Sequence, residues 1–427
     1  MNYFKKNNEN SEYFFKNIFT LAKGAILARI IGFLSIPILT RTYTPEDYGI
    51  LALYVSLISI LAPMLTLRYV QAIPLPKSDV LAMSLFTIST KLIFIGTIIL
   101  SCILVFFGRP LLGIFNMGIL ASFWPLISLG VAGTAFYELI TLWATRKKKF
   151  KDIAISQINQ SLIGSLVKIG LGLLSFKAPG LIIGQFFSQS GGIVRIFKGS
   201  LSDWRFLLPK VSLSKEKLVF MYYLDFLKYR FPSQILMVLS LQAPIVMMAS
   251  LFDKDETGQL SLALMTLSLP ASLIGSAIAK AYYAEIASIG KRNIKKIKDL
   301  TFKLQIKLFM IGVPITIVAM LISEFMFSFI FGNEWVLAGR FAAVLAPFIL
   351  FQLTSSPLME VINITGSQIF FLILHSVRIC ILCLLFVISS VYDVSPYDFV
   401  ILLTITLSAF YLVASLSVLV NLKRQVV

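Results

Sequence analysis

The chain has 427 residues, of which 58% are hydrophobic and only 14% are charged. Soluble domains contain about 45–50% apolar and about 25% charged residues, so this composition excludes an ordinary soluble protein. A formal net charge of +18 would indicate nucleic-acid binding in a soluble protein, but in a membrane protein basic residues accumulate in cytoplasmic loops beside anionic lipid, and no nucleic-acid partner is expected.

Apolar residues fall into runs of roughly twenty, the length that an α-helix needs to cross a hydrocarbon core of about 30 Å. The runs do not alternate with polar residues as the strands of a membrane β-barrel would, so the chain is predicted to be an all-α integral membrane protein. The stretch 206–230 is the hardest to assign, and Phe220 to Tyr229 within it is compatible with an interfacial helix. Twelve spans are predicted at 18–39, 47–66, 82–107, 118–143, 153–176, 179–197, 231–251, 258–286, 304–331, 338–361, 367–390 and 397–420.

The distribution of Lys and Arg among the loops predicts the orientation of the chain. With a cytoplasmic N-terminus, the inward segments hold 26 Lys and Arg and the outward loops hold five. This imbalance obeys the positive-inside rule and places both termini in the cytoplasm, as an even number of spans requires. The five outward residues are Arg41, Arg109, Lys177, Lys254 and Arg340.

A faint internal repeat relates the first two spans to the seventh and eighth. Each copy has two prolines 26 residues apart with a glycine between them. The match favours two six-helix halves, 1–205 and 206–427, and such parallel repeats are typical of transporters that bind substrate between the halves. The repeated residues are, in the same order, Pro37, Gly49 and Pro63, and Pro244, Gly258 and Pro270.

Apart from Lys307 and Arg340, which lie at span ends and are counted with the loops, seven Lys and Arg lie inside the predicted spans, although a cation at the bilayer centre costs at least about 2.5–3.5 kcal/mol. Lys23 and Arg195 are close enough to the cytoplasmic face for their side chains to reach it. The five deeper cations are predicted to bind an anionic head group, and they are Arg29, Lys91, Lys168, Lys280 and Arg378.

The deep cations share their helical faces with small or polar residues, so those faces turn away from lipid. Such a face is either a packing seam with buried charge or the wall of a water-filled cavity. Few acids lie deep enough to neutralise the cations, and this excess of positive charge favours a cavity for an anionic ligand. The deep acids are Glu138, Glu285, Glu324 and Glu360; the face of Arg29 holds Ala22, Ala25, Gly32 and Ser35, and that of Lys280 holds Ser268, Ser272 and Ser276.

Two further residues are candidates for coupling transport to an ion. His375 is the single histidine, and it serves either as a helix-packing hydrogen-bond partner or as a proton switch. Glu138 is the second coupling candidate. Cys380 and Cys383 form a C-x-x-C without a second pair, so core packing is expected rather than a metal site. No Walker A, G-x-S-x-G or H-E-x-x-H motif occurs, and neither a cofactor nor an enzymatic activity is expected.

The stretch from Arg29 to Arg41 (RIIGFLSIPILTR), followed by YTPEDYG from Tyr43 to Gly49, carries a family resemblance. It resembles the polysaccharide-unit (O-antigen, Wzx-type) flippases of the multidrug/oligosaccharidyl-lipid/polysaccharide exporter superfamily. The stretches from Arg230 to Ser233 and from Pro244 to Pro270 are similar to the seventh and eighth spans of that family, and the hydrophobic layout matches over the whole chain. The resemblance matches Arg29 to the basic residue of the first span, whereas the other cations are inferred from their helical faces alone.

The resemblance implies two pseudo-symmetric six-helix bundles around a central cavity that opens alternately to each side. It implies that undecaprenyl-diphosphate-linked oligosaccharide moves from the cytoplasmic to the periplasmic leaflet of the bacterial inner membrane, for O-antigen or other surface polysaccharide. The expected partners are this substrate, membrane lipids and other polysaccharide assembly proteins.

Three alternatives to this function remain. A cation-coupled multidrug exporter of the same fold would need acids deep in its cavity. A membrane polysaccharide polymerase or glycosyltransferase would need a large external loop. A lipid-linked peptidoglycan precursor would differ only in cargo.

Overall fold

The computed structural model describes residues 2–290, 293–362 and 368–424. Within these ranges the chain is almost wholly helical and contains no strand, which confirms the all-α prediction. The α-helices are α1 (Asn2–Leu39), α2 (Pro45–Thr66), α3 (Asp79–Gly113), α4 (Trp124–Arg146), α5 (Phe150–Leu173), α6 (Lys177–Ser190), α7 (Ile193–Leu207), α8 (Leu213–Tyr222), α9 (Phe231–Leu251), α10 (Lys254–Ile289), α11 (Ile294–Phe331), α12 (Val336–Ser355), α13 (Gln368–Val391) and α14 (Pro396–Arg424).

Ten helical segments of the described chain are long and apolar enough to cross a membrane, and each coincides with a predicted span. The fifth and sixth predicted spans form α5 and the pair α6–α7. Helix α5 is less apolar because it carries several amides, hydroxyls and charges that face other helices. Helix α6 has only 14 residues, and the chain continues as α7 after a break at Gly191 and Gly192. The sixth span therefore differs from the single helix expected over 179–197.

The chain divides into two compact units, of which the first comprises Met1–Tyr43 and Leu53–Val238. In this unit α1 packs along α5 through small residues, which let two helices approach closely. Gly24 lies against Ala154, the Ser161 hydroxyl donates to the carbonyl oxygen of Ala28 over 2.6 Å, and the Ser165 hydroxyl donates to the side-chain hydroxyl oxygen of Ser35 over 3.1 Å. This seam holds the first span against the fifth.

The second unit comprises Thr44–Ala52 and Leu239–Val427. Its core surrounds α12, which packs against α10, α11 and α14. Trp335, Phe331, Phe341 and Phe399 are among its largest fully buried side chains. The unit therefore joins the first turns of α2 to the helices of the C-terminal part of the chain.

The first turns of α2 and α10 cross at two glycines inside this second unit. A Cβ atom on Gly49 would overlap the carbonyl oxygen of Lys254, and a Cβ atom on Gly258 would overlap that of Pro45. Each glycine thus meets the residue four positions before the other, so the contact is reciprocal. Gly49 and Gly258 are the glycines of the two repeat copies, although Gly49 follows its proline by 12 residues and Gly258 follows its proline by 14.

The stretch 206–230, which the sequence left unassigned, is also mostly helical. A 3-10 turn at Leu208–Lys210 leads into α8, and a π-helical turn at Phe226–Arg230 leads into α9. The Ser212 side chain caps α8 by accepting a hydrogen bond from the backbone N–H of Lys215. The segment therefore packs as an ordered connection between α7 and α9.

Candidate functional site

The five predicted cations are divided between the two units, with Arg29, Lys91 and Lys168 in the first and Lys280 and Arg378 in the second. The structure gives each of them its own surroundings.

Arg29 lies on α1 beside the seam with α5 but does not enter it. The seam uses Gly24, Ala28 and Ser35, whereas the Arg29 side chain is exposed. The sequence grouped Arg29 on one face with Ser35. The six positions from 29 to 35 make about one and two-thirds helical turns, so the two side chains point in directions about 120° apart. Arg29 can therefore reach a ligand without moving a neighbouring helix.

Lys91 on α3 is paired with a carboxylate of its own unit. Its Nζ atom lies 2.6 Å from Oε2 of Glu216 on α8, and the Thr87 hydroxyl donates to Oε1 of the same carboxylate over 2.9 Å. The Lys91 side chain is 56% exposed, whereas that of Glu216 is only 12% exposed. Lys91 therefore shares its charge with Glu216 before any ligand arrives.

Lys168 lies in the seam between α5 and α6 and has a neutral partner. Its Nζ atom donates to Oε1 of Gln185 over 2.6 Å, and its aliphatic stem packs on Gly184. The Tyr43 hydroxyl donates to the backbone carbonyl oxygen of Lys168 over 2.7 Å. Among the described residues no carboxylate lies within ion-pair distance of this ammonium group.

Lys280 continues a line of hydroxyl groups along an exposed face of α10. Ser272, Ser276 and Lys280 are exposed, and the two hydroxyls donate to the carbonyl oxygens of Leu269 and Leu273 in their own helix. The first part of α10 is instead buried in its unit, where Leu260, Leu262 and Ala263 are fully buried. This polar line is thus not part of the packing within the second unit.

Arg378 on α13 is only 4% exposed, and its described partners are neutral. Nη1 donates to the Tyr411 hydroxyl over 3.0 Å, and the guanidinium carbon lies 5.4 Å from the ring centre of Tyr411 and 5.7 Å from that of Phe410. Gln352 also donates to the Tyr411 hydroxyl, while Nε of Arg378 is buried without a hydrogen bond. Cation–π contacts offset part of the cost of burying this charge.

The two coupling candidates differ in how far their hydrogen-bonding groups are already satisfied. His375 is half-buried one turn before Arg378, and its Nδ1 atom is buried without a hydrogen-bond partner. Glu138 on α4 lies 3.0 Å from Nη1 of Arg68, whose Nη2 donates to Oε1 of Gln234 on α9. Glu138 is therefore held in an ion pair, whereas the His375 imidazole retains an unused polar atom.

Arg68 is the main polar residue that the sequence analysis missed, because it was assigned to a solvated loop. Its side chain is buried, and both Leu67 and Arg68 adopt positive φ angles, of 45° and 62°. Burial lowers the pKa of Arg68 from its usual value, and the Glu138 carboxylate opposes this effect. A buried arginine at a strained chain reversal joins the end of α2 to α4 and α9.

Two of the four deep acids pair with arginines that are not among the five candidate cations. Glu138 pairs with Arg68, and Glu324 lies 3.0 Å from Nη2 of Arg340. These acids are consequently not the partners of Lys168 or Arg378, and the positive charge of those two cations is not neutralised by them.

The cysteines do not behave as expected. Cys102, Cys380 and Cys383 are free and exposed, so the prediction that Cys380 and Cys383 pack in a core is wrong. Cys380 and Cys383 occupy outward positions of α13, where the thiol acts as a small apolar group. The described part of the chain contains no cluster of three or more His, Cys, Asp or Glu suited to a metal ion.

Comparison with solved structures identifies the fold. An inward closed conformation of the lipid II flippase MurJ is 15% identical, with 94% of this chain and 87% of that chain covered, at a TM-score of 0.71. An inward-facing multidrug resistance MATE family transporter of the MOP superfamily is 16% identical over 95% of each chain, at a TM-score of 0.55. The eukaryotic MATE transporter AtDTX14 is 13% identical over 96% of each chain, at a TM-score of 0.57.

At these identities the likeness shows the fold alone, which is shared with the lipid II flippase MurJ and the MATE transporters. It confirms the all-α membrane fold class that the sequence predicted, and the solved proteins with this fold are transporters or flippases. A search of curated proteins finds no match. Residues 38–339 match the family described as polysaccharide biosynthesis protein, which is well over half of the chain. This multi-pass membrane protein therefore belongs to the polysaccharide biosynthesis protein family.

Proposed function

We propose that this protein moves an undecaprenyl-diphosphate-linked oligosaccharide repeat unit from the cytoplasmic to the periplasmic leaflet of a bacterial inner membrane. The product serves O-antigen or other surface polysaccharide assembly, and both termini lie in the cytoplasm. Family membership and the transporter fold support the movement of a lipid-linked substrate. The main support for an anionic substrate is that cations in membrane-spanning helices have neutral partners.

Lys168 and Arg378 show this charge imbalance most directly. Each is held by uncharged groups, Gln185 in one case and Tyr411 in the other. A cation buried in a bilayer without a carboxylate is retained for function rather than for stability, because an apolar residue there would avoid the cost of desolvation. Passage of a negatively charged group through the protein accounts for their presence.

Lys280 supplies the most accessible contact for such a group. Its exposed ammonium requires water or an anion, and hydrocarbon offers neither. The line of serines that leads to it marks the polar side of α10 as a water-facing surface. We therefore assign that side of α10 to the substrate path.

The cations divide by the way they act on a diphosphate. Arg29 and Lys280 have exposed side chains and contact the phosphate oxygens, Arg29 with a planar fork and Lys280 as a point charge. Lys168 and Arg378 are held by neighbours and contribute their electrostatic field. Lys91 joins them only when Glu216 releases it. Alternating access by the two halves, 1–205 and 206–427, then exposes the site to each leaflet in turn.

A lipid-linked peptidoglycan precursor is a second candidate cargo, because the MurJ structure with a TM-score of 0.71 is that of a lipid II flippase. Such a cargo would engage the same cations. A cation-coupled multidrug exporter is less well supported, because Glu138 and Glu324 are already paired with arginines.

The decisive experiment is accumulation. The gene is deleted in a strain that lacks other polysaccharide flippases, and the lipid-linked glycan that builds up on the cytoplasmic leaflet is identified by mass spectrometry. A surface-polysaccharide repeat unit supports the proposal, accumulated lipid II shifts the cargo to the peptidoglycan precursor, and no accumulation of either refutes both.

Variants of Lys280 test the assigned contact. We expect Lys280→Gln to reduce surface polysaccharide at least about tenfold, because a charge contact to phosphate is lost, whereas Lys280→Arg retains most of it. The matched control is Lys303→Gln, which removes another exposed helical lysine, on α11. The amounts of each variant in the membrane are compared by immunoblot. Export at the wild-type level by Lys280→Gln would show that Lys280 does not contact the substrate.

A further inference from the structure

The connection between α7 and α9 contains a short helix, α8, that is packed on one side only. Val219 is buried, and the ring of Phe220 stacks on Tyr69 with centroids 5.1 Å apart. The Tyr69 hydroxyl donates to the backbone carbonyl oxygen of Phe220 over 3.1 Å, and Glu216 binds Lys91. Aromatic stacking, a hydrogen bond and an ion pair therefore fix α8 on the first unit in one orientation.

The opposite side of α8 is exposed, and beside Ser214 and Lys217 it carries large apolar side chains. Leu218 is 58% exposed, Met221 is 57% exposed and Tyr222 is 76% exposed. Leu213 at the start of the helix is 79% exposed. A short helix that buries one apolar side in protein and presents a second one requires an apolar medium for the second.

Basic residues are frequent in the stretch of chain that contains α8. Between positions 205 and 230 there are six Lys and Arg and only two acids, Glu216 and Asp225, of which Glu216 is already paired. None of the six lies within ion-pair distance of a carboxylate in the described part of the chain. They are Arg205, Lys210, Lys215, Lys217, Lys228 and Arg230.

The aromatic and basic groups also occur together at close range. The Lys210 ammonium lies 3.4 Å from the ring centre of Phe206, and the Arg230 guanidinium carbon lies 4.7 Å from that of Phe226. Phe206 is itself 65% exposed and Tyr229 is 66% exposed. Exposed apolar and aromatic side chains in one segment with cations that lack carboxylate partners match the chemistry of a lipid surface, which offers acyl chains and phosphates side by side.

We infer that the segment Arg205–Arg230 is a lipid-binding surface that inserts the exposed side of α8 into the cytoplasmic leaflet and binds anionic phospholipid head groups through its unpaired lysines and arginines. The charge pattern selects anionic over zwitterionic lipid, since each basic residue near such a surface favours binding by roughly fivefold. The lipid surface holds α8 against Tyr69 and Lys91 from the outside. This inference does not depend on the identity of the transported substrate.

The test uses the full-length protein in nanodiscs of defined synthetic lipids, which contain no lipid-linked glycan. The three cysteines are replaced by alanine, and Leu218→Cys carries a polarity-sensitive fluorophore. Quenching is compared between spin-labelled phosphatidylglycerol and spin-labelled phosphatidylcholine at the same mole fraction. We expect both lipids to quench the probe, with a preference for phosphatidylglycerol of at least about fivefold that declines as salt is raised.

A charge variant separates head-group binding from simple immersion. In Lys215→Gln/Lys217→Gln/Lys228→Gln the preference should fall to near unity, because three of the six cations are removed. The matched control is Lys295→Gln/Lys296→Gln/Lys298→Gln on α11, which loses the same charge elsewhere and should keep the preference at the probe. Both variants are first compared with the parent by gel filtration and thermal unfolding.

Three outcomes would overturn the inference. Equal quenching by both lipids at low salt would show that the segment has no preference for anionic head groups. Quenching by iodide from the aqueous phase without quenching by either lipid leaves α8 in water. Disulfide-linked dimers through Leu218→Cys would assign the apolar side to a second copy of the chain. Because no lipid-linked substrate is present, a failed accumulation experiment leaves this result unaffected.

Discussion

The reciprocal glycine contact between α2 and α10 allows a sharp prediction about packing. The perturbation is Gly258→Ala, which adds one methyl group where the helix meets the carbonyl oxygen of Pro45. A side chain could rotate away from this methyl group, but a backbone carbonyl in the first turn of a helix cannot. The substitution should therefore push α2 and α10 apart at their first turns.

The magnitude follows from two opposing effects. Overpacking of a close contact costs about 1–3 kcal/mol. Replacing glycine by alanine inside a helix returns up to about 1 kcal/mol through backbone entropy. Because the added methyl group overlaps a backbone atom, the cost is at the upper end of this range and the net destabilisation should be about 2 kcal/mol. Gly49→Ala should give a similar value because a Cβ there meets the carbonyl oxygen of Lys254 in the same way.

The assay is thermal unfolding of purified protein in detergent, followed by tryptophan fluorescence. Trp335 reports on the crossing because its ring lies 4.9 Å from that of Tyr48, one residue before Gly49. The matched control is Gly170→Ala on α5, where a Cβ atom meets nothing within 4 Å and the substitution should raise the midpoint slightly. If Gly258→Ala unfolds at or above the wild-type temperature, as the control does, the argument from the close contact is wrong.

Three further predictions concern charged and titratable groups. Arg68→Ala should destabilise the protein by about 1–3 kcal/mol, because it leaves the partly buried Glu138 carboxylate without its ion-pair partner. In a double-mutant cycle measured by thermal unfolding, Arg68→Ala/Glu138→Gln should recover part of this loss, and additive effects of the two substitutions would contradict the coupling. Arg378→Met should unfold at no lower temperature than wild type, because no carboxylate is left unpaired, but it should lower the amount of surface polysaccharide. A lower unfolding temperature would show that Arg378 has a structural role instead. His375→Gln should flatten the pH dependence of transport between about pH 5 and 8 in vesicles if His375 is the proton switch, and an unchanged profile would exclude that role.

The membrane class and the positions of most helices were accessible from the sequence because each depends on local pattern. A run of about twenty apolar residues is long enough to cross a bilayer wherever it occurs, and ten of the twelve predicted spans coincide with helical segments of the described chain that are long and apolar enough to do so. The sequence singled out Gly49 and Gly258 between paired prolines but did not predict that their helices meet there.

The candidate site was less accessible because helical faces do not reveal which neighbour occupies them. The sequence treated Lys91 and Lys168 alike, yet one has a carboxylate partner 125 positions away and the other an amide 17 positions away. Arg68 was assigned to a solvated loop because nothing local shows that α4 and α9 close over it.

The sequence by itself determined that this is a many-span helical membrane protein with more positive charge in its spans than its acids can neutralise. Only the tertiary structure decided which cations are paired, which are buried among neutral groups and which are exposed. The reason is physical: hydrophobicity and charge type are properties of single residues and short windows, whereas neutralisation of a charge depends on atoms within about 4 Å, which long-range packing brings together.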